Sequence, residues 1–215
     1  MLDEWFETVV KSRLRGACVL VRFADGALMA FDNIDDAKRV LSVLGKRLGR
    51  YGLTLHPEKT RLIEFGRFAA ERRRRRGLGK PETFNFLGFT FICGKTRAGK
   101  FQVQRKTRRD RMQEKLRKIK GTLRRCAHHP IPAQGKWLGR VVSGYFNYHA
   151  VPTNFRALAA FRTEVAKRWR NVLIRRSQRH NLNWERMNCL LDDWLPKPRI
   201  LHPWPDQRFA VSHPR

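Results

Sequence analysis

The stretch Cys18–Phe31, CVLVRFADGALMAF, sets two apolar runs on either side of Asp25-Gly26. An Asp-Gly pair between hydrophobic runs is a strong short-range hairpin signal. It predicts strands near 17–23 and 27–31, both buried, with the Asp25 carboxylate at their tip. A carboxylate fixed on a rigid turn suits a magnesium site for phosphoryl chemistry. Asp is also a common turn residue with no role beyond the turn. From this stretch alone both readings stand.

Helical signals flank the hairpin. Leu2, Phe6, Val9 and Val10 recur at helical spacing from Leu2 to about Arg13, with Asp3, Glu4 and Glu7 near the positive N-terminal end. After the hairpin, Ala37, Val40, Leu41, Leu44 and Leu48 mark one face of a second helix. Asn33 or Asp35 caps its start, and it runs to Tyr51, where Gly52 stops it. Such a face directly after a hairpin packs on the sheet. Beyond Pro57, Thr60–Phe65 reads as a short strand. Arg72–Arg76 reads as a solvated loop or as an ordered phosphate contact, with Gly77 and Gly79 after it. Thr83–Cys93, TFNFLGFTFIC, reads as a strand with a bulge or close backbone approach at Gly88. Phe101–Gln104 is its partner strand.

From Lys106 onward the period changes from strand to helix. Residues 105–125 carry 11 basic and 2 acidic side chains, yet Met112, Leu116, Ile119 and Leu123 keep one apolar face. That pattern describes a helix with one packed side and a cationic rail. His128, His129, Pro130 and Pro132 break it, and the two histidines have no further ligand at zinc spacing. Helices follow at 137–149, 154–177 and 184–194, then an extended proline-rich tail pinned by Ile200, Leu201, Trp204 and Phe209.

Charge separates the two parts. The chain of 215 residues carries a net +29, from 47 Lys/Arg and 18 Asp/Glu. Residues 1–66 hold 11 Lys/Arg and 9 Asp/Glu, which leaves 36 and 9 for the rest, a net +2 against +27. A polyanion explains that excess directly, since each Lys or Arg on a phosphate releases condensed counterions. Anionic membrane is the competing partner, but no apolar run spans a bilayer and no signal peptide opens the chain. Cys18, Cys93, Cys126 and Cys189 are too scattered for zinc pairs and read as reduced, buried thiols of a cytoplasmic protein.

Five stretches in order resemble the reverse transcriptases encoded by group II introns. Phe23–Gly26, FADG, resembles their YADD box. Gly52–Thr60, GLTLHPEKT, resembles the next block, and Phe86–Phe91, FLGFTF, the block that grips the primer. Gly144–Leu158, GYFNYHAVPTNFRAL, and Trp194–Phe209, WLPKPRILHPWPDQRF, resemble the maturase domain, domain X. The resemblance implies an α+β fold: a partial palm over 1–104 (hairpin, helix, short antiparallel strands), an all-α thumb and maturase domain over 105–195, and a tail over 196–215. It implies Asp25 as catalytic and Mg2+-binding residue. Lys59, Thr60, Phe86, Leu87 and Gly88 then fall in nucleic-acid-binding blocks. Arg140, Tyr145, Tyr148 and Arg156, with the rail of Arg108, Arg109, Arg111, Lys115 and Lys118, fit the intron RNA. The implied partners are group II intron RNA and a DNA target, in a cytoplasmic ribonucleoprotein, with neither membrane nor small molecule.

Two departures qualify that activity. The family's fingers and the first part of its palm, with the first catalytic aspartate, are not in the sequence, so a separate N-terminal reverse-transcriptase chain would have to supply them. The second YADD aspartate is Gly26, whose side chain offers no oxygen. Two magnesium ions about 4 Å apart need several carboxylates, and one cannot place both. Three functions stay open on sequence: an RNA-binding maturase-type protein that does not polymerise alone, a polymerase subunit completed by another chain, and a decayed fragment.

Overall fold

A computed structural model describes residues 2–24, 26–176 and 182–207. It is a mixed α+β structure, with two small antiparallel sheets and helices making up about half the chain. The chain separates into two compact units, Met1–Ile63 and Glu64–Arg215. The resemblance assigns residues 64–104 to the palm by descent, but by contact they belong with the helices that follow. No helix among the described residues is long and apolar enough to cross a membrane.

In the first unit, helix α1 (Leu2–Trp5) continues as a π-helical turn (Phe6–Val10) and a 3-10 turn (Lys11–Arg13). Strands β1 (Cys18–Phe23) and β2 (Gly26–Phe31) pair from Cys18↔Phe31 to Phe23↔Gly26, so Gly26 already lies in the strand. Ala24 takes φ 52°, a left-handed conformation that is costly for a residue with a Cβ. Helix α2 (Ile34–Gly49) begins under the Asn33 side chain, which accepts the Asp35 N–H at 2.8 Å. Of the two capping candidates, Asn33 is therefore the cap. Phe6, Val10 and Val40 form a small core with Trp5, Leu14, Cys18, Leu20, Met29 and Phe31. Buried Asp36 closes the hairpin base by accepting the Arg15 and Gly16 N–H groups at 2.8 and 3.0 Å.

The expectation of two buried strands is corrected here. No described residue of β1 or β2 is fully buried. Cys18 and Leu20 face the core, while Val19, Val21 and Phe23 alternate to the other side and stand exposed, Phe23 at 62%. Within the first unit a single layer packs on this ribbon, and no other described element of that unit packs on its second face.

Across the boundary between the units, the strand expected at Thr60–Phe65 does not form: no described strand pairs with that segment. The arginine run is also corrected: it is helix α3 (Ala69–Arg75), not a loop. Acids hold it. Glu64 pairs with Arg72 and Arg76, Glu71 with Arg75, and Glu82 with Arg73. Gly77, at φ +67°, ends the helix while Gly77 and Leu78 return N–H groups to the Arg74 and Arg73 carbonyls.

Strands β3 (Phe84–Phe86), β4 (Phe89–Lys95) and β5 (Phe101–Thr107) form an antiparallel sheet in that order. The expected single bulged strand is a hairpin instead. Phe86 pairs with Phe89, and the two turn residues Leu87 and Gly88 both have positive φ, 47° and 75°. A two-residue turn of that hand matches strand twist, and Gly supplies its second position without strain.

Helices α4 (Arg109–Arg125), α5 (Ile131–His149), α6 (Phe155–Ile174) and α7 (Trp184–Trp194) share one core built on Leu116, Leu123, Leu138, Leu158, Phe161 and Trp169. Gly135 and Gly139, one turn apart on α5, lie against Trp194, and a Cβ on Gly139 would stand 2.7 Å from the Trp194 carbonyl oxygen. The connection after α4 is tied by buried Gln134, whose amide donates to the Cys126, Ala127 and His129 carbonyls and accepts the Trp169 indole N–H at 3.0 Å. The free edge of β5 is sealed by the linker between α5 and α6. Thr153 bonds the Arg105 N–H (2.9 Å) and carbonyl (3.2 Å), and Asn154 accepts the Thr107 N–H at 2.9 Å. The sheet and the helices are thereby one body of hydrogen bonds.

Candidate nucleic-acid interface

Three and four residues apart on one helix means side by side, so Arg111, Glu114, Lys115 and Lys118 crowd one strip of α4. The neighbouring strip of α5 presents Arg140, Val141, Gly144, Tyr145 and Tyr148. Together with His149 these residues line an open cleft of about 490 Å³. Its only acid is Glu114, which pairs with Lys118 at 2.8 Å and Arg111 at 3.5 Å. The hydrogen bond and charge of Lys118 hold that carboxyl below its ordinary range. Lys115 and Arg140 have no acidic partner among the described residues. Four cations against one carboxylate leave the cleft strongly positive.

Its tyrosines differ. Tyr145 is buried and stacks on Phe161, ring centres 3.6 Å apart. Burial pushes its phenol up to about 12, offset in part by the nearby Thr107 hydroxyl, and the phenol oxygen has no hydrogen-bond partner among the described residues. Tyr148 is 53% exposed. Its hydroxyl donates to the Leu87 carbonyl at 2.8 Å and its ring lies near-parallel to Phe89, 5.8 Å away. His149, packed on Tyr145 and Phe89, has its pKa pushed down to about 4 by burial, so the ring is neutral at physiological pH.

The remaining sequence-predicted residues fall elsewhere. Leu87 is exposed and Phe86 half-buried at the β3–β4 turn, joined to the cleft through Tyr148. A Cβ on Gly88 would lie 3.6 Å from Tyr148, an ordinary contact, so conformation rather than crowding calls for the glycine. Arg108 and Arg109 line a second open cavity of about 520 Å³ with Asn85, Thr90, Asp110 and Gln113. There Arg108 grips Asp110 with both nitrogens, at 3.1 and 2.5 Å. Arg156 is exposed in the first turn of α6 and lines neither cavity. Lys59 and Thr60 lie in the first unit, exposed and half-buried, at the turn closed by N–H bonds to the His56 carbonyl.

Sequence reasoning missed Glu114, Val141, Gly144 and His149 as cleft residues. Only Glu114 carried a usable signal, its i, i+4 spacing to Lys118. Asp25 lies outside the described residues. Its sequence neighbour Gly26 has no side-chain oxygen, and Asp32 and Asp36, at the base of the hairpin, are engaged by backbone N–H groups of 15–17. No described group of three His, Cys, Asp or Glu could hold a metal ion. These residues do not fit a two-magnesium centre.

A family model described as reverse transcriptase (RNA-dependent DNA polymerase) matches residues 1–91. The match covers the hairpin unit, α3, β3 and the first residues of β4, somewhat under half of the chain. It supports the reverse-transcriptase family for that part, which includes the FADG turn and most of the FLGFTF hairpin. No curated protein matches the chain.

Proposed function

We propose that this chain is an RNA-binding protein of the group II intron reverse transcriptase and maturase type that does not extend a primer by itself. The observation that carries the binding half is the α4–α5 cleft, where Arg111, Lys115, Lys118 and Arg140 converge on one wall-to-wall gap beside two tyrosines. Cations so placed hold phosphates, and their yield in affinity depends on salt. The ligand we assign is folded intron RNA, read through its shape and its unpaired segments.

The inactive half rests on Gly26. Phosphoryl transfer is positioning plus charge stabilisation, and a single carboxylate supplies neither for two ions. Mg2+ is then a weak ligand of Asp25 at most. Primer extension on a poly(rA)/oligo(dT) template tests this: the expected incorporation is indistinguishable from a blank, and labelled product above it overturns the reading. The family match to residues 1–91 favours a second reading, a polymerase subunit completed by another chain. Adding such a chain with Gly26→Asp separates the two, since only the second reading predicts restored synthesis.

Binding is tested by titrating intron RNA and bulk tRNA at one salt concentration. Intron RNA should bind more tightly, and equal affinity would reduce the cleft to non-specific charge. Lys115→Gln and Arg140→Gln should each flatten the salt dependence by about 0.7 in log–log slope if single-stranded phosphates lie there.

A further inference from the structure

We infer, resting on the RNA-binding reading above, that the α4–α5 cleft admits an unpaired strand rather than a helix, with Tyr148 as the platform for one base. Tyr148 is held at two points: its hydroxyl donates to the Leu87 carbonyl at 2.8 Å, and Phe89 lies near-parallel to its ring at 5.8 Å and 16°. An exposed tyrosine normally samples several rotamers, and fixing one costs entropy when a ligand binds. Here that cost is met in the free protein. Tyr148 remains 53% exposed and lines the cleft.

Three further features suit a strand. Gly144, one turn before Tyr148 on α5, has nothing within 4 Å of the place its Cβ would occupy, so the floor beside the platform is flat and open. Helix-interior glycine costs stability, about 0.5–1 kcal/mol relative to alanine, and no packing here needs it. The buried Tyr145 phenol, 7% exposed and without a hydrogen-bond partner, borders the same cleft. Lys115 on α4 and Arg140 on α5 line the same cleft without an acidic partner among the described residues, which leaves both cations for the phosphates of a strand. A duplex keeps its bases stacked on each other and offers no face to a tyrosine.

The test uses the full chain and measures fluorescence anisotropy at physiological ionic strength. The probes are a short unstructured oligouridylate and an RNA duplex of equal length. Tyr148→Ala should weaken the single strand about tenfold while leaving the duplex unchanged. Tyr148→Phe keeps the ring but loses the bond to the Leu87 carbonyl, and should fall between wild type and Tyr148→Ala for the single strand; thermal unfolding of both variants shows that they fold. An equal loss for both probes, or none for either, overturns the platform. If the wild type binds RNA and Tyr148→Ala changes nothing, the platform fails while the RNA-binding reading survives. If the wild type binds neither probe nor intron RNA, both fail.

Discussion

The two antiparallel sheets among the described residues solve the same problem to different degrees. The β1–β2 ribbon has one face on Phe6, Val10 and Val40 and the other, Val19, Val21 and Phe23, in solvent. The β3–β5 sheet has its outer edge closed by Thr153 and Asn154 and its Phe89 corner buried against Tyr148 and His149. A sheet is finished by what covers its edges and faces, not by its strands. The finished sheet lies in the unit with the excess positive charge, and the unfinished ribbon in the near-neutral first third. Close packing and charge therefore coincide at the α4–α5 cleft, whereas the first unit's ribbon has neither.

The largest expected effects lie in the finished unit. Gly139→Ala puts a methyl 2.7 Å from the Trp194 carbonyl oxygen, backbone that cannot swing aside, and should cost about 3 kcal/mol in chemical denaturation. A loss below about 1 kcal/mol would mean that α7 is loosely seated on α5. Asn154→Ala comes next. It removes bonds to the Thr107 N–H, the Thr107 hydroxyl and the His149 carbonyl, all partly buried, and should cost about 2 kcal/mol. It should also raise hydrogen exchange at the Thr107 amide, and an unchanged exchange rate would show that the seal is not what protects β5.

His149 gives a smaller effect with a definite sign. Unfolded imidazole titrates near 6.5, and burial lowers the folded value to about 4. Between those values the unfolded chain takes up a proton that the folded chain refuses. Stability is therefore full above about pH 6.5, falls as the pH drops, and its contribution is gone below about pH 4. His149→Gln should flatten the melting temperature across that window. A slope that survives the substitution would assign it to other groups.

Much of this was legible in the residues, and the failures have physical causes. The hairpin, α2 with a cap at Asn33 or Asp35 and α7 at Trp184–Trp194 follow from period and capping, which are local; the structure chose Asn33. The β3–β4 turn was hidden because Leu87 sits at positive φ, a conformation its side chain does not advertise. The helical arginine run was hidden because Glu64 and Glu82, which neutralise it, lie outside the run. The rail on α4 and the tyrosines of α5 were visible as patterns. That Arg111, Lys115, Lys118, Arg140 and Tyr148 meet at one cleft depends on how α4 and α5 are brought together, which no pattern within either helix contains.

The ribbon supplies the smallest stability effect and the sharpest contrast. Val21 and Phe23 touch solvent with 43% and 62% of their surface, so Val21→Thr with Phe23→Thr removes little buried area and keeps β-branched strand formers. Surface substitutions of this kind stay within about 0.5 kcal/mol, against the several expected at Gly139 and Asn154. The same change should raise the concentration at which the protein stays monomeric, because an exposed apolar strand pair is a template for association. Light scattering against concentration reads the second effect and thermal unfolding the first. Destabilisation well above 1 kcal/mol would mean that this face is covered in solution and that the ribbon is as finished as the sheet.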